Sequence, residues 1–168
     1  MTVVFKHGGV VPTANGAAMY ESTVEIQGAG GGTYRGSIYP DDMNVKGRIK
    51  DGTYSLHIGF HKRNSKVPTT ADLIVKNNSS ELRPALIVQR DGTVPVISHN
   101  ASKTTSSLIH VHNGFNSSRG SDGCLTLRPS DWPGFIQTFL DMYPNLQDWY
   151  PGPGQYIGLA AGSLEVRA

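Results

Sequence analysis

The sequence is poor in the features that most often reveal a protein's class. Cys124 is the only cysteine among the 168 residues. One thiol cannot form an internal disulfide, so cysteine pairing does not indicate a redox compartment. No apolar run is long enough to span a lipid bilayer. The first residues lack the basic start and long apolar run of a secretory signal peptide, so no such peptide is predicted.

Charge is sparse and nearly balanced. Charged residues make up 17% of the chain, the formal net charge is +2, and no basic run occurs. This is too little positive charge to predict a nucleic-acid partner. With 38% hydrophobic residues, the composition is that of a globular protein rather than a disordered chain. Because no repeat or low-complexity linker divides the chain, we predict one domain over residues 1–168.

Two kinds of site motif are also missing. The glycine run at residues 28–32 lacks the Lys-Ser/Thr of a nucleotide-binding loop, so it is predicted to be a turn. The motif His-Glu-x-x-His is absent, and no histidine is followed four residues later by aspartate. His110 and His112 nevertheless have ligand spacing on a strand, with Cys124 or His57 to complete the set. A zinc metallopeptidase is therefore kept as an alternative function, and no other cofactor is predicted.

The residues that can carry chemistry are concentrated in one stretch. Alternation predicts a strand over residues 108–112 that directs His110 and His112 to the same face. A polar, glycine-containing loop at residues 113–123 follows and leads to Cys124, which opens a second apolar run. Such a returning loop would bring an imidazole next to the sulfur.

An imidazole beside a thiol is typical of nucleophilic catalysis. A free thiol has a pKa near ~8.5 and its thiolate is the nucleophile, so a neighbouring histidine raises the reactive fraction. Gly123 lets the backbone turn sharply, so the amides of Gly123 and Cys124 can face a developing oxyanion. The Ser121 hydroxyl can brace this turn or contact the histidine. A lone cysteine also occurs as an inert small side chain, which keeps open a non-enzymatic β domain that binds a glycan or a partner.

The motif around the thiol resembles the catalytic signature of the L,D-transpeptidases, the family with the YkuD-like fold: His112-Asn113-Gly114, followed by Ser121-Asp122-Gly123-Cys124-Leu125. Residues 47–54 resemble the start of a strand in that superfamily, and residues 127–135 resemble the segment that leads from the cysteine strand into a helix. The resemblance covers about residues 33–142. This chain departs from many members in having Asp122 where they have histidine, and in its shorter loop before the cysteine.

The resemblance implies a mainly β fold, an L,D-transpeptidase-like sandwich or barrel with one substantial helix after the cysteine strand. It also implies that Cys124 attacks a peptide carbonyl and forms a thioester, which an amine or water resolves. His112 is favoured as the base, while His110 either orients His112 or the substrate or is itself the base. The candidates for substrate contact are Asn113, Gly114, Asp122 and Arg119.

The implied substrate is a stem peptide of peptidoglycan, cut or cross-linked at a bond that contains diaminopimelate. Transpeptidase, carboxypeptidase and exchange activity are all open. The implied site of action is the periplasm or cell wall, reached by a specialised secretion route, by phage lysis or by a signal absent from this sequence. An antibacterial effector or a lytic enzyme fits these expectations, and an effector would have an immunity or delivery protein as partner.

The remaining pattern predicts a mostly β chain. Along the strand over residues 53–60, Tyr54, Leu56, Ile58 and Phe60 share one face; His57 lies on the other as a surface residue, and His61 falls just past the end. Pro95 is predicted to lie in an edge strand. The other predictions are strands at 3–5, 23–26, 84–89, 94–97, 155–160 and 164–166, a short element at 73–75, turns at 77–80, 90–93 and 149–154, a loop at 98–107 bordering a groove, and a helix from 130 or 131 to 142 or 143.

Overall fold

The centre of the protein, in its computed structural model, is a closed barrel of eight strands in the order β1-β11-β5-β6-β9-β10-β3-β2. The structure describes residues 1–28, 30–61, 66–74, 82–90 and 92–168. A second sheet holds three strands in the order β4-β7-β8. The strands and helices are β1 (Thr2–Lys6), β2 (Ser22–Gln27), β3 (Thr33–Ser37), β4 (Arg48–Ile49), β5 (Gly52–His61), β6 (Arg83–Val88), β7 (Thr93–Ile97), β8 (Thr105–Ser107), β9 (His110–Asn113), β10 (Leu125–Leu127), α1 (Trp132–Met142), α2 (Leu146–Trp149) and β11 (Ile157–Arg167).

The barrel interior is built by strand alternation, as the sequence predicts. The four apolar residues of β5 that share a face are all buried in the core. The same holds for Val111 of β9 and for Leu125 and Leu127 of β10. Within the barrel, β9 and β10 are parallel, whereas β6 and β9 are antiparallel. Because Val111 faces the core and side chains alternate along a strand, His110 and His112 lie on the outer face of the barrel wall.

The helix after the cysteine strand forms where the sequence predicts it. Its apolar stripe (Trp132, Phe135, Ile136 and Phe139) is buried, as expected for residues spaced by three and four positions. Asp131 is the N-cap residue, but its carboxylate accepts hydrogen bonds from the Arg35 amide at 2.8 Å and from Arg128 Nε at 3.1 Å instead of capping the helix. The bond from the Arg35 amide joins the start of the helix to β3.

The prediction of a mainly β fold with one substantial helix is confirmed. The predicted strands at residues 3–5, 23–26, 53–60 and 94–97 form, and the strand predicted at 84–89 ends one residue early because Gln89 has a φ of 55°. Among the described residues, no helix has the length and apolar character needed to cross a lipid bilayer.

Several local predictions are wrong for identifiable reasons. The histidine strand, β9, starts at His110 rather than at residue 108, because Leu108 has a φ of 57° and is 76% exposed. Part of the predicted loop at 98–107 forms β8 against β7. The two predicted closing strands are one strand, β11, with register shifts between Ile157 and Gly162.

The predicted turn near the C-terminus and the predicted short element at 73–75 also differ from the structure. The turn predicted at 149–154 begins one residue later, since Trp149 ends α2. The short element predicted at 73–75 is a 3₁₀ helix over Thr70–Leu73. Residue 75 lies outside the described residues, as do the predicted turn at 77–80 and residue 91 of the turn at 90–93.

Pro95 lies in the middle strand of the small sheet and not at an edge. The Lys50 amide donates to the Pro95 carbonyl at 2.9 Å, but proline has no N–H to return the bond. The Tyr54 hydroxyl donates to the Lys50 carbonyl at 2.7 Å instead. A side chain thus satisfies the acceptor that a middle-strand proline would leave unpaired.

Candidate functional site

The loop between β9 and β10 brings Cys124 back against the histidine strand. Leu125 pairs with Val111 in the parallel register, so Cys124 lies beside His110 one step earlier. The His110 amide donates a hydrogen bond to Cys124 Sγ at 3.4 Å, and the Leu108 carbonyl oxygen is 3.9 Å from the same sulfur. Cys124 is half-buried. The thiol therefore contacts the backbone of the histidine strand and is not sealed in the barrel core.

Ser121 braces the turn that presents the thiol. Its hydroxyl donates to the Cys124 carbonyl at 2.6 Å and accepts from the Gly123 amide at 3.1 Å. Gly123 has a φ of 124°, a backbone conformation that favours glycine. Of the two roles that the sequence allowed for Ser121, the structure shows the bracing role. Because the Gly123 amide is already bonded to this hydroxyl, the Cys124 amide is the remaining candidate to face an oxyanion.

Arg119 holds the same loop from inside the protein. It is 4% exposed, and its guanidinium donates to the carbonyl oxygens of Thr13 at 2.9 Å, Met19 at 3.2 Å and Pro40 at 3.1 Å. Asp41 Oδ1 lies 3.8 Å from Arg119 Nε, and Asp41 Oδ2 accepts the Ser121 amide at 3.0 Å. The structure thus places this predicted substrate contact in the framework of the loop, with one edge facing a separate cleft on the side of Asp41.

Replacing Arg119 by leucine is expected to lower the free energy of unfolding by about 3 kcal/mol, because buried carbonyl groups would lose their donor. Urea denaturation would measure the loss. Arg128→Leu is the matched control, because Arg128 is 47% exposed at its side chain and bonds Asp131 at the surface; its cost is expected to be below about 1 kcal/mol. Equal losses in the two variants would contradict the framework role of Arg119.

The other three residues predicted to contact substrate, Asn113, Gly114 and Asp122, have different surroundings from one another. Asn113 is buried, and its Oδ1 has no hydrogen-bond partner within the described part of the chain. A Cβ on Gly114 would lie 2.0 Å from the Tyr20 hydroxyl, which donates to the Phe115 carbonyl at 2.7 Å, so only glycine fits there. Asp122 is exposed beside the thiol.

His112 is buried and held in one orientation. Its Nδ1 lies 2.9 Å from the carbonyl oxygen of Asn113. A carbonyl oxygen only accepts, so Nδ1 carries the hydrogen and, in the neutral ring, Nε2 carries the lone pair. This is the tautomer that a general base needs if Nε2 is to receive a proton.

His110 is bonded to a third histidine. His110 Nδ1 lies 2.9 Å from His61 Nδ1, with the ring centroids 5.1 Å apart at 88°. The His61 ring also lies against His112, at 4.9 Å between centroids and an angle of 40°. Across the described ranges, no hydrogen bond joins the Cys124 thiol to any of the three imidazoles. Catalytic hydrogen bonds are often long or absent before substrate binds, so this arrangement is compatible with proton transfer in a complex.

His61 is the residue that the sequence analysis missed. Residue 61 shares the outward face of β5 with residues 57 and 59, because side chains alternate along a strand. The predicted strand ended one residue too early, at Phe60, whereas β5 runs to His61. The signal was therefore the same alternation that identified the histidines of β9.

The Cys124 thiol and the imidazoles of His110 and His112 are uncharged at rest at neutral pH. Burial raises the pKa of Cys124 to about 11; the hydrogen bond from the His110 amide opposes this, and the negative charge of Asp122 adds to it. Burial, with the neighbouring His61 second, lowers the pKa of both His110 and His112 to about 3. Cys124, His110 and His112 thus form no thiolate–imidazolium pair at rest, and a nucleophilic attack by the sulfur would require the thiol proton to leave during the attack.

Alkylation of Cys124 by iodoacetamide is expected to accelerate about tenfold per pH unit from pH 6 to pH 10, because only the thiolate reacts and its fraction rises up to a pKa of about 11. Whole-protein mass spectrometry at each pH would give the rates, with glutathione as the reference thiol. A rate that is independent of pH above pH 5 would show a thiolate–imidazolium pair and contradict this resting state.

A cleft of about 530 Å³ is lined by His110 and Leu108, the two residues whose backbone lies next to Cys124 Sγ; Cys124 itself does not line it. His61 and His110 are its polar residues together with the Tyr156 hydroxyl, which donates to the Lys66 carbonyl at 3.0 Å. Leu108, whose carbonyl lies near the sulfur, forms part of the wall. The other lining residues are Phe60, Ile87, Gly154 and Ile157. A peptide that entered this cleft would pass directly along the histidine strand.

A zinc metallopeptidase would need at least three ligating side chains arranged around one metal ion. Among residues 1–28, 30–61, 66–74, 82–90 and 92–168, no three His, Cys, Asp or Glu side chains are arranged to hold a metal ion. His112 Nδ1 and His110 Nδ1 are instead used in the hydrogen bonds described above.

Comparison of the chain with protein-family models, with curated proteins and with solved structures finds no match.

Proposed function

We propose that this protein is a cysteine-dependent enzyme that transfers or hydrolyses the acyl part of peptidoglycan stem peptides, on an L,D-transpeptidase-like barrel. One observation carries the proposal: the lone, half-buried thiol of Cys124 lies against the backbone of the strand that bears His110 and His112, and His110 also lines a cleft of about 530 Å³. The motif from His112 to Leu125 supports the same family of reactions.

In the proposed reaction, Cys124 Sγ attacks the carbonyl carbon of the scissile bond. The S–C bond forms while the thiol proton passes to His112 Nε2, and the carbonyl oxygen becomes an oxyanion that faces the Cys124 amide. Collapse breaks the C–N bond, and His112 returns the proton to the leaving amine. An amine or water then attacks the thioester, gives its proton to His112 and releases the thiol.

His112 is preferred over His110 as the base because of its tautomer. The Asn113 carbonyl holds the hydrogen on His112 Nδ1, which leaves the lone pair on Nε2. In His110, Nδ1 is bonded to His61, while the backbone amide contacts the sulfur. His110 therefore supports the thiolate through its main chain.

The proposed substrate follows from the motif. A stem peptide would lie with its donor residues in the cleft, and the acyl acceptor would decide between transpeptidase, carboxypeptidase and exchange activity. We place this activity in the periplasm or cell wall, in an antibacterial effector or a lytic enzyme. An immunity or delivery protein would be the partner of an effector.

The test is incubation with purified muropeptides that carry tetrapeptide and pentapeptide stems, followed by mass spectrometry of the whole protein and of the products. We expect an acyl adduct on Cys124. Loss of a terminal D-alanine would identify a carboxypeptidase, a muropeptide dimer a transpeptidase, and incorporation of an added D-amino acid an exchange activity. The proposal would be overturned if folded protein gave neither adduct nor product while a separate sample, treated with iodoacetamide, showed that its Cys124 is accessible and reactive.

The raised pKa of Cys124 favours one second candidate, a glycan-binding β domain in which the thiol is structural. This candidate predicts that Cys124→Ala binds isolated cell-wall sacculi as tightly as the unsubstituted protein and that neither forms products. Sedimentation of both proteins with sacculi would separate the two functions.

A further inference from the structure

His61 reaches the histidine strand from a strand that is not its neighbour. In the barrel order, β6 lies between β5 and β9. His61 ends β5 and pairs with Arg83 of β6. Its Nδ1 is nevertheless 2.9 Å from His110 Nδ1, and its ring lies 4.9 Å from the ring of His112 between centroids. His61 thus contacts both histidines of β9 across an intervening strand.

A small residue of β6 lies between His61 and His112. Leu86 pairs with Val111 on β9, so Ala85 lies beside His112 one step further along the same antiparallel register. Because Leu86 faces the core, Ala85 lies on the outer face of β6. Its single methyl group leaves room for the His61 ring to extend across β6 to the histidines of β9. A larger side chain at residue 85 would occupy the same space.

The Nδ1–Nδ1 hydrogen bond restricts both rings. Two nitrogens at 2.9 Å form a hydrogen bond only when one of them carries a hydrogen and the other presents a lone pair. The bond therefore couples the tautomers of the two rings, with one Nδ1 as donor and the other as acceptor, and it restricts the ring rotation of His110, the residue whose amide donates to Cys124 Sγ. Contact with the His61 ring also restricts the rotation of His112, whose Nδ1 is held from the other side by the Asn113 carbonyl.

We propose that His61 is a positioning residue that holds His110 and His112 in place beside the Cys124 thiol. This inference rests on the acyl-transfer function proposed above. His61 acts through the two histidines of β9 rather than on the reacting atoms. Its role resembles that of the third member of a catalytic triad, which orients an imidazole without taking its proton.

Two substitutions separate positioning from packing. His61→Phe keeps an aromatic ring at this position but removes Nδ1, so we expect the rate of Cys124 acylation by muropeptide to fall by about 10- to 100-fold, as when a metal-bound histidine loses the partner that orients it. The melting temperature should change little. His61→Asn places an amide near the position of Nδ1, so it should recover most of the rate. His99→Phe is the control, because His99 is an exposed loop histidine outside the cluster.

Imidazole nitrogen NMR provides a readout that does not depend on activity. In protein labelled with ¹⁵N at histidine, His110 Nδ1 is expected to show the shift of one fixed tautomer. His61→Phe should move that signal toward the average of two tautomers, and His61→Asn should leave it near its original position. The His112 tautomer should persist in both variants because the Asn113 carbonyl is unchanged.

The outcomes distinguish this inference from the proposed function. An altered His110 signal together with a slower acylation rate in His61→Phe supports the positioning role. An unchanged His110 signal, or an unchanged acylation rate in a folded His61→Phe protein, overturns it. If the unsubstituted protein forms no acyl adduct at all, the proposed function fails, and with it a role for His61 in that reaction, even where the NMR shows that His61 holds the His110 ring.

Discussion

Replacing Cys124 by alanine is expected to abolish product formation from muropeptides, with a fall in rate of about 10³-fold or more. In the proposed reaction the sulfur makes the covalent bond to the substrate, and no other group among the described residues can replace it, because Cys124 is the only cysteine of the chain. Single-turnover formation of the acyl adduct and of the products, both by mass spectrometry, would measure the loss.

The fold should survive this change. Cys124 is half-buried and lies outside the barrel core, so the free energy of unfolding is expected to fall by only about 1 kcal/mol. Cys124→Ser is the matched control, since a hydroxyl keeps the size of the side chain and can accept from the His110 amide, yet it is a far weaker nucleophile. We expect Cys124→Ser to be folded and inactive. If Cys124→Ala formed products as fast as the unsubstituted protein, the thiol mechanism would be contradicted.

Replacing His112 by glutamine is expected to reduce the rate of thioester formation by about 10²- to 10⁴-fold, the range typical for loss of a general base. The glutamine amide can still donate to the Asn113 carbonyl, but it cannot receive the thiol proton. The effect should be visible at neutral pH, because burial lowers the pKa of His112 to about 3 and the ring is neutral and able to accept a proton there. Rapid-quench mass spectrometry of the Cys124 adduct would give the rate.

The control for this prediction is His110→Gln, the other imidazole of β9. Its backbone amide, which bonds Cys124 Sγ, is retained in the variant, so a smaller loss is expected. If His110→Gln proved slower than His112→Gln in forming the adduct, the base would be His110. At alkaline pH, where hydroxide removes the thiol proton, the rate of His112→Gln should approach that of the unsubstituted protein.

The local features of the site follow from the sequence because they depend on short-range periodicity. Alternation in β9 decides that His110 and His112 share a face, and Gly123 with Ser121 decides the turn before the thiol. The helix after β10 is likewise visible from its apolar spacing and Asp131. Each of these depends on neighbours within a few residues along the chain, where backbone geometry dictates direction.

Other features depend on contacts that join distant parts of the chain. Arg119 is predicted from the sequence as a substrate contact, but it donates to carbonyl groups of Thr13, Met19 and Pro40. Leu108 takes a positive φ, so β9 starts later than its apolar pattern indicates. The Gly123 amide, predicted as an oxyanion donor, is used by the Ser121 hydroxyl.

The sequence by itself therefore determined a mainly β chain, the helix after the cysteine strand, and a histidine strand joined to a thiol by a returning loop. Only the tertiary structure decided that the strands close into a barrel with β6 between β5 and β9, and that His61 consequently meets His110 and His112. The reason is physical: strand periodicity tells which side a residue faces, whereas the order and register of the strands in the barrel decide which side chains come within hydrogen-bond distance.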